Sequence, residues 1–178
     1  HSDKSISISM ERMNNIHEIR SSSKIALVEA GVILTTLHQA VNENDLMFPL
    51  TFGARGSATI GGVLSTNAGG SNVLKYGNTR DLVLGVEMVL PNGDIMNLMS
   101  ELHKDNSGYC LRDLVIGAEG TLGIITQAVL KLFPKPKAHA TAMVAVKSLD
   151  HALALLNELQ EGTGGAVAAY EYMPKRYI

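Results

Sequence analysis

Hydrophobic residues recur along this chain with two different periods, and the switches between them mark its elements. Short apolar or alternating stretches at Ile6–Ser9 and Lys24–Ala30 predict strands, the second closing at Gly31. Ile33, Leu37, Ala40 and Val41 follow at helical spacing and predict an amphipathic helix over Ile33–Glu43. Val83–Leu90 is apolar and rich in valine. Pro91-Asn92-Gly93-Asp94 is a turn signal leading from it to Ile95–Leu98, so the two runs predict a hairpin. A second turn, Asp105-Asn106-Ser107-Gly108, precedes a short helix over Leu111–Ile116. Gly123–Phe133 alternates in part and predicts a long strand ending at Pro134 and Pro136, and Pro134-Lys135-Pro136-Lys137 is the candidate domain boundary. Beyond it the pattern predicts a strand at Thr141–Val146 and a helix over Ser148–Gln160. Ser148 is its N-cap, and Ala152, Leu155, Leu156 and Leu159 form its apolar face. A last strand at Val167–Tyr172 follows the break at Gly162, Gly164 and Gly165. This strand–helix–strand unit is too small to close a core alone, which makes it the first part of a second domain.

Composition narrows the function classes. Hydrophobic residues are 46% and charged residues 18% of the 178, enough apolar material for a packed core and too little charge for wholesale disorder. The net charge of −2, with both signs interspersed, supplies no basic stripe for nucleic acid. No apolar run reaches the roughly 18 residues of a membrane-spanning helix. Cys110 is the single cysteine, which excludes an internal disulfide and matches a reducing compartment. The chain opens at His1-Ser2 rather than at methionine, and the expectation is that an earlier portion precedes it.

The glycines carry the chemistry. Thirteen of the 17 lie from Gly53 to Gly123, so they mark a region rather than scattered turns. They gather at Gly53-Ala54-Arg55-Gly56-Ser57, at Ile60-Gly61-Gly62 through Asn67-Ala68-Gly69-Gly70, and at Gly117-Ala118-Glu119-Gly120-Thr121-Leu122-Gly123. Glycine lets backbone approach a ligand closely, and successive free N–H groups can cradle phosphate oxygens. Ser57, Thr59, Ser65, Thr66 and Asn67 add short polar side chains for phosphate or sugar hydroxyls. Lys75, Arg80 and Lys104 stand near the clusters, where they could neutralise a phosphate or a carboxylate.

Other chemistries lack their signatures. There is no G-x-G-x-x-G between strand and helix, no G-x-x-x-x-G-K-[ST] and no G-x-S-x-G; Gly117, Gly120 and Gly123 have a different spacing. His1, His17, His38, His103, His139 and His151 show no paired spacing for a metal, and each reads as a surface or structural residue. Cys110 reads as a bystander thiol.

The run Gly53-Ala54-Arg55-Gly56-Ser57-Ala58-Thr59-Ile60-Gly61-Gly62-Val63-Leu64-Ser65-Thr66-Asn67-Ala68-Gly69-Gly70 resembles the second flavin-binding segment of the vanillyl-alcohol oxidase/p-cresol methylhydroxylase (PCMH) superfamily. The resemblance continues through Leu74-Lys75-Tyr76-Gly77-Asn78-Thr79-Arg80-Asp81, Lys104-Asp105-Asn106-Ser107-Gly108-Tyr109 and Gly117–Thr126, and is greatest to the D-2-hydroxyglutarate and D-lactate dehydrogenase branch. Glycolate oxidase flavin subunits and alkyl-dihydroxyacetone-phosphate synthases are the neighbouring branches. Val63 departs from the Asn that usually follows the Gly-Gly pair, Ala58 and Thr59 replace a frequent Cys-His, and Ser107 and Cys110 replace Thr and Asp.

The resemblance implies an α+β fold. Residues 1–136 form a partial PCMH-type FAD-binding domain with a mixed, mainly antiparallel sheet and flanking helices, and residues 137–178 begin an α+β substrate cap. It implies FAD extended between two subdomains. Gly53, Ala54, Gly56, Ser57 and Thr59 line its pyrophosphate and ribityl region, joined by Gly61 and Gly62. Thr66, Asn67, Ala68 and Gly69 lie close beside, and Glu119, Gly120, Gly123, Ile124 and Ile125 hold the adenosine side, partly through backbone groups. The family's first phosphate loop is expected upstream of His1 and the rest of the cap, with its metal site and catalytic base, beyond Ile178. No catalytic residue and no metal ligand is therefore assigned here, and residues 1–178 alone are expected to be inactive. The implied activity is oxidation of a D-2-hydroxy acid to the 2-oxo acid, with a quinone or an electron-transfer flavoprotein as separate acceptor and a homodimer as an open arrangement. The implied compartment is the cytoplasm, or the mitochondrial matrix in a eukaryote. An alkyl-transferring synthase on the same fold and a non-catalytic remnant module are the alternatives.

Overall fold

The structure is a computed structural model and describes residues 6–174. Five strands form its main sheet: β1 (Ile16–Arg20), β2 (Ile25–Glu29), β4 (Val83–Val89), β5 (Ile95–Leu98) and β6 (Ile124–Lys131), in the order β1-β2-β6-β4-β5. A two-stranded ribbon joins β3 (Leu46–Met47) to β7 (Phe133–Pro134). Every pairing among the described residues is antiparallel. The expected antiparallel sheet is thus present, and it contains no parallel pair.

β2, β6 and β4 read as nearly continuous apolar runs because both of their faces are covered. On one face Ala26, Val28, Val86, Met88, Ala128 and Leu130 belong to the principal core. On the other, Ile25, Leu84 and Val129 form a smaller cluster with Leu27 and Met99. Where Glu87 and Met88 face Gln127 and Ile125, Thr126 is the extra residue of a bulge, and its hydroxyl donates to Glu87 Oε1 at 2.7 Å.

The helix expected over Ile33–Glu43 is α1 (Leu34–Asn42). Leu34, Leu37 and Val41 are its buried face, each worth about 1.5–3 kcal/mol of transfer free energy. α2 (Ile60–Ser65) packs into the same core through Ile60, Val63 and Leu64. α3 (Val73–Tyr76) and α4 (Leu111–Val115) are single turns, the second as expected. α5 (Leu149–Gly162) has Ser148 as its N-cap, whose Oγ accepts the His151 N–H at 3.2 Å.

Three expected strands do not form. Ile6–Ser9 has the right alternation but no ladder; Ile6 is 89% exposed, and the edge position belongs to Ile16–Arg20, which pairs with β2. Thr141–Val146 and Val167–Tyr172 are likewise unpaired, so of the strand–helix–strand unit only the helix is present. β-propensity reports fitness for a pleated, half-buried surface, and without a partner strand it specifies nothing.

Half-buried His38 on α1 has an Nε2 with no hydrogen-bond partner among the described residues. Burial holds its pKa below the ordinary histidine value; the nearby carbonyls of Leu50 and Phe48 offset part of this and the charge of Arg55 adds to it. Between the lowered folded value and the unfolded value of about 6.5 the unfolded chain binds more protons, so stability is full above that pH and falls as pH drops through the window. The urea midpoint is expected to decline from neutral pH toward pH 5.5, and His38→Leu should flatten that slope. Equal slopes in parent and variant would refute the assignment.

Candidate functional site

The three glycine clusters converge on α2. Immediately before it, Gly53–Gly56 forms an exposed 3-10 turn, steadied where the Thr35 hydroxyl donates to the Arg55 carbonyl at 2.9 Å. The chain then passes α1, where Ile33 and Thr59 form an isolated bridge, and Thr59 becomes the N-cap of α2. The first donors of α2 are all engaged within the protein: Ile60 N–H with the Val32 carbonyl, Gly61 N–H with Ala30, and Gly62 N–H with Thr59 Oγ1. The helix terminus is therefore closed to an anion. The open donors lie beside it, where the N–H groups of Gly53, Ala54 and Thr59 have no acceptor among the described residues.

At the other end of α2, the Leu64 and Ser65 carbonyls accept the N–H groups of Gly117 and Glu119, at 3.0 and 2.9 Å. This docks the third cluster onto the second. Asn67, in the left-handed region at φ 47°, presents its Oδ1 to the Arg80 N–H at 2.9 Å. Ala68 offers its carbonyl to both the N–H and the hydroxyl of fully buried Thr79. The open donors and the docked third cluster thus flank a helix of six residues, roughly 9 Å long.

The residues expected at a cofactor take different positions. Gly53, Ala54, Gly56, Ser57, Gly62, Thr66, Glu119 and Gly120 are exposed. Thr59, Asn67, Ala68 and Gly69 are half-buried along the same stretch, Gly69 beside Asn78 and Val73. Gly61 faces inward, where a Cβ would stand 2.8 Å from that of Ala30. Gly123 sits against Val89 and Met88, Ile124 pairs with Val89, and Ile125 is in the core. A Cβ at Gly53, Gly56 or Gly120 would meet nothing within 4 Å, so the backbone there is bare toward solvent. Such a surface fits a phosphate-bearing cofactor bound through main-chain N–H groups. A hollow of about 420 Å³ between α1 and the 46–55 segment is lined by His38, Arg55, Asn72 and Lys135 among others, and the clusters border it only through Arg55.

The link made by Arg80 went unrecognised in the sequence, where it was only a nearby cation. Its Nη2 donates to the Ile116 carbonyl at 2.6 Å, across 36 residues. Among the described residues no group of three or more His, Cys, Asp or Glu side chains could hold a metal ion.

Residues 1–99, more than half of the chain, match the family described as FAD binding domain. The chain belongs to this family. Its cofactor is FAD. The chain is 37% identical over 173 residues to the D-2-hydroxyglutarate–pyruvate transhydrogenase of Saccharomyces cerevisiae, covering 97% of this chain and 35% of that protein. It is 39% identical over 166 residues to the mitochondrial D-2-hydroxyglutarate dehydrogenase of Rattus norvegicus, covering 93% and 31%. Among solved structures it resembles an alkyldihydroxyacetonephosphate synthase, with a TM-score of 0.64 and 27% identity, over 72% of this chain and 23% of that one. The chain spans about a third of the length of the curated relatives it matches.

Proposed function

We propose that this FAD-binding domain serves an oxidoreductase that converts a D-2-hydroxy acid, of the D-2-hydroxyglutarate or D-lactate type, into the 2-oxo acid. The observation that carries the reading is the bare glycine backbone at both ends of α2, in a chain whose relatives at 37% and 39% identity are enzymes named for D-2-hydroxyglutarate. Bound flavin would supply the two-electron acceptor chemistry. The chain's own part is to bind and orient. Gly53 and Ala54 offer N–H donors to phosphate, Thr59 places its hydroxyl at the near end of α2, and Thr66 places its own at the far end. The 119–125 segment, seated on the Ser65 carbonyl, provides backbone for the adenosine end. No side chain of the domain is assigned to proton transfer or to a metal.

The remaining features follow the same reading. A quinone or an electron-transfer flavoprotein takes the electrons onward, and a homodimer is compatible with it. Among the described residues no helix is long and apolar enough to cross a membrane; the compartment proposed is the cytoplasm, or the mitochondrial matrix in a eukaryote. The domain division is placed at 136, and residues 137–178 are assigned to the cap, since among the described residues no strand pairing involves one beyond Pro134. The resemblance to the synthase structure supports a second reading, alkyl transfer on the same fold.

Anaerobic addition of D-2-hydroxyglutarate or D-lactate to the flavin-loaded full-length protein separates the two. Loss of visible flavin absorbance is expected with one of these acids. Retention of full absorbance with both would overturn the dehydrogenase reading and favour the synthase.

A further inference from the structure

Arg80 is held in an arrangement that packing alone does not explain. It follows Thr79 at the start of a 3-10 turn closed by a reciprocal cap, in which the Asn78 N–H donates to Asp81 Oδ2 at 2.8 Å. Its side chain runs to the loop after α4, where Nη2 meets the Ile116 carbonyl, while its main-chain N–H is fixed by Asn67. Gly117 makes room for it: a Cβ there would stand 3.0 Å from Nη2 and 3.3 Å from the Asn67 Cβ. Nε is buried and has no hydrogen-bond partner among the described residues. None of the ion pairs among the described residues involves Arg80, and the neighbouring acid Asp113 is paired with Arg112 at 3.0 Å. A partly desolvated guanidinium satisfied by one carbonyl is costly, and an uncharged chain of similar length would fill the space at less cost.

We propose that Arg80 is the positioning residue of the FAD cradle, locking the 117–123 loop onto the 66–70 segment and supplying a positive charge, in no ion pair among the described residues, that draws the anionic cofactor toward α2. The inference rests on the FAD-binding role of the domain. It distinguishes Arg80 from Arg55 and Lys75, which are exposed, because only Arg80 ties two glycine clusters together. A charge that is partly removed from water acts with less screening than an exposed one.

The test is FAD affinity of the apoprotein, followed by flavin fluorescence over a range of salt concentrations, for the parent, Arg80→Met and Arg80→Lys. Arg80→Met should weaken FAD by about ten- to hundredfold, the range for a charge-assisted contact, and should flatten the dependence of affinity on salt. Arg80→Lys should keep the parental salt slope and recover part of the affinity, since it restores charge without the guanidinium fork. Weaker binding in Arg80→Met at an unchanged slope would mean a scaffold role only and would overturn the proposal, as would parental affinity in that variant. If Arg80→Met does not fold, Arg80→Lys decides: a slope flatter than the parent's overturns the proposal, and a parental slope supports it. A parent that fails to bind FAD is a separate outcome, which overturns the proposed function itself.

Discussion

Gly123→Val is expected to cost the domain its fold before it affects any ligand. Gly123 has φ 152°, in the region where a side chain is strained, and its Cβ would collide with the Val89 carbonyl and the Met88 methyl. Neither neighbour can retreat easily, because both residues belong to the ladder between β4 and β6 and Met88 is 1% exposed. Backbone strain of about 1–3 kcal/mol and overpacking of about 1–3 kcal/mol together make roughly 2–6 kcal/mol. A domain of this size is stable by only about 5–15 kcal/mol. The denaturant midpoint of the apoprotein should fall sharply, with or without added FAD, and Gly61→Val should follow it because its Cβ meets that of Ala30. A parental midpoint in Gly123→Val would show that the β4–β6 junction yields. The loss of FAD that both variants should show is thus an indirect effect of misfolding and does not locate the cofactor.

Gly53→Val is the variant that does locate it. Nothing lies within 4 Å of the new Cβ, and the residue does not sit at positive φ. Its stability should stay within about 0.5 kcal/mol of the parent, as for ordinary surface changes. FAD affinity should nevertheless collapse, because a branched side chain would cover the Gly53 and Ala54 N–H groups. Two hydrogen bonds to charged phosphate are together worth about 3–6 kcal/mol if additive, roughly a hundred- to ten-thousandfold in affinity. Isothermal titration with FAD and a parallel urea melt measure both quantities. Parental affinity in a folded Gly53→Val protein would remove this turn from the cofactor site.

The contrast between these two variants shows where the sequence was legible. Gly53, Gly61 and Gly123 look equivalent as letters in a glycine-rich run, and all three read as cofactor contacts. The fold separates them by what each lacks a side chain to accommodate: solvent at Gly53, Ala30 at Gly61, and the β4–β6 ladder at Gly123. Neighbours so distant in sequence leave no local pattern. The same holds for Arg80, whose carbonyl partner lies 36 residues away. Asn67 and Gly117 are the traces it leaves in the sequence, and both have other uses in a turn.

Local physics was enough for much of the rest. The periodicity of Leu34, Leu37 and Val41, the Pro91–Asp94 turn and the Ser148 cap each act over a few residues, and each is present in the structure. The clustering of glycines with Ser, Thr and Asn singled out a candidate ligand-binding stretch, and its extended match with a flavin family supplied the cofactor. Tertiary structure alone decided which strand candidates found partners. Ile16–Arg20 did and Ile6–Ser9 did not, because a strand is completed by hydrogen bonds to another segment whereas a helix satisfies its own. It also decided that β6 would insert between β2 and β4, so that the third glycine cluster, at its start, meets α2. Residue type and spacing set what each segment can form, but which backbone groups remain free for FAD depends on contacts between segments far apart in the chain.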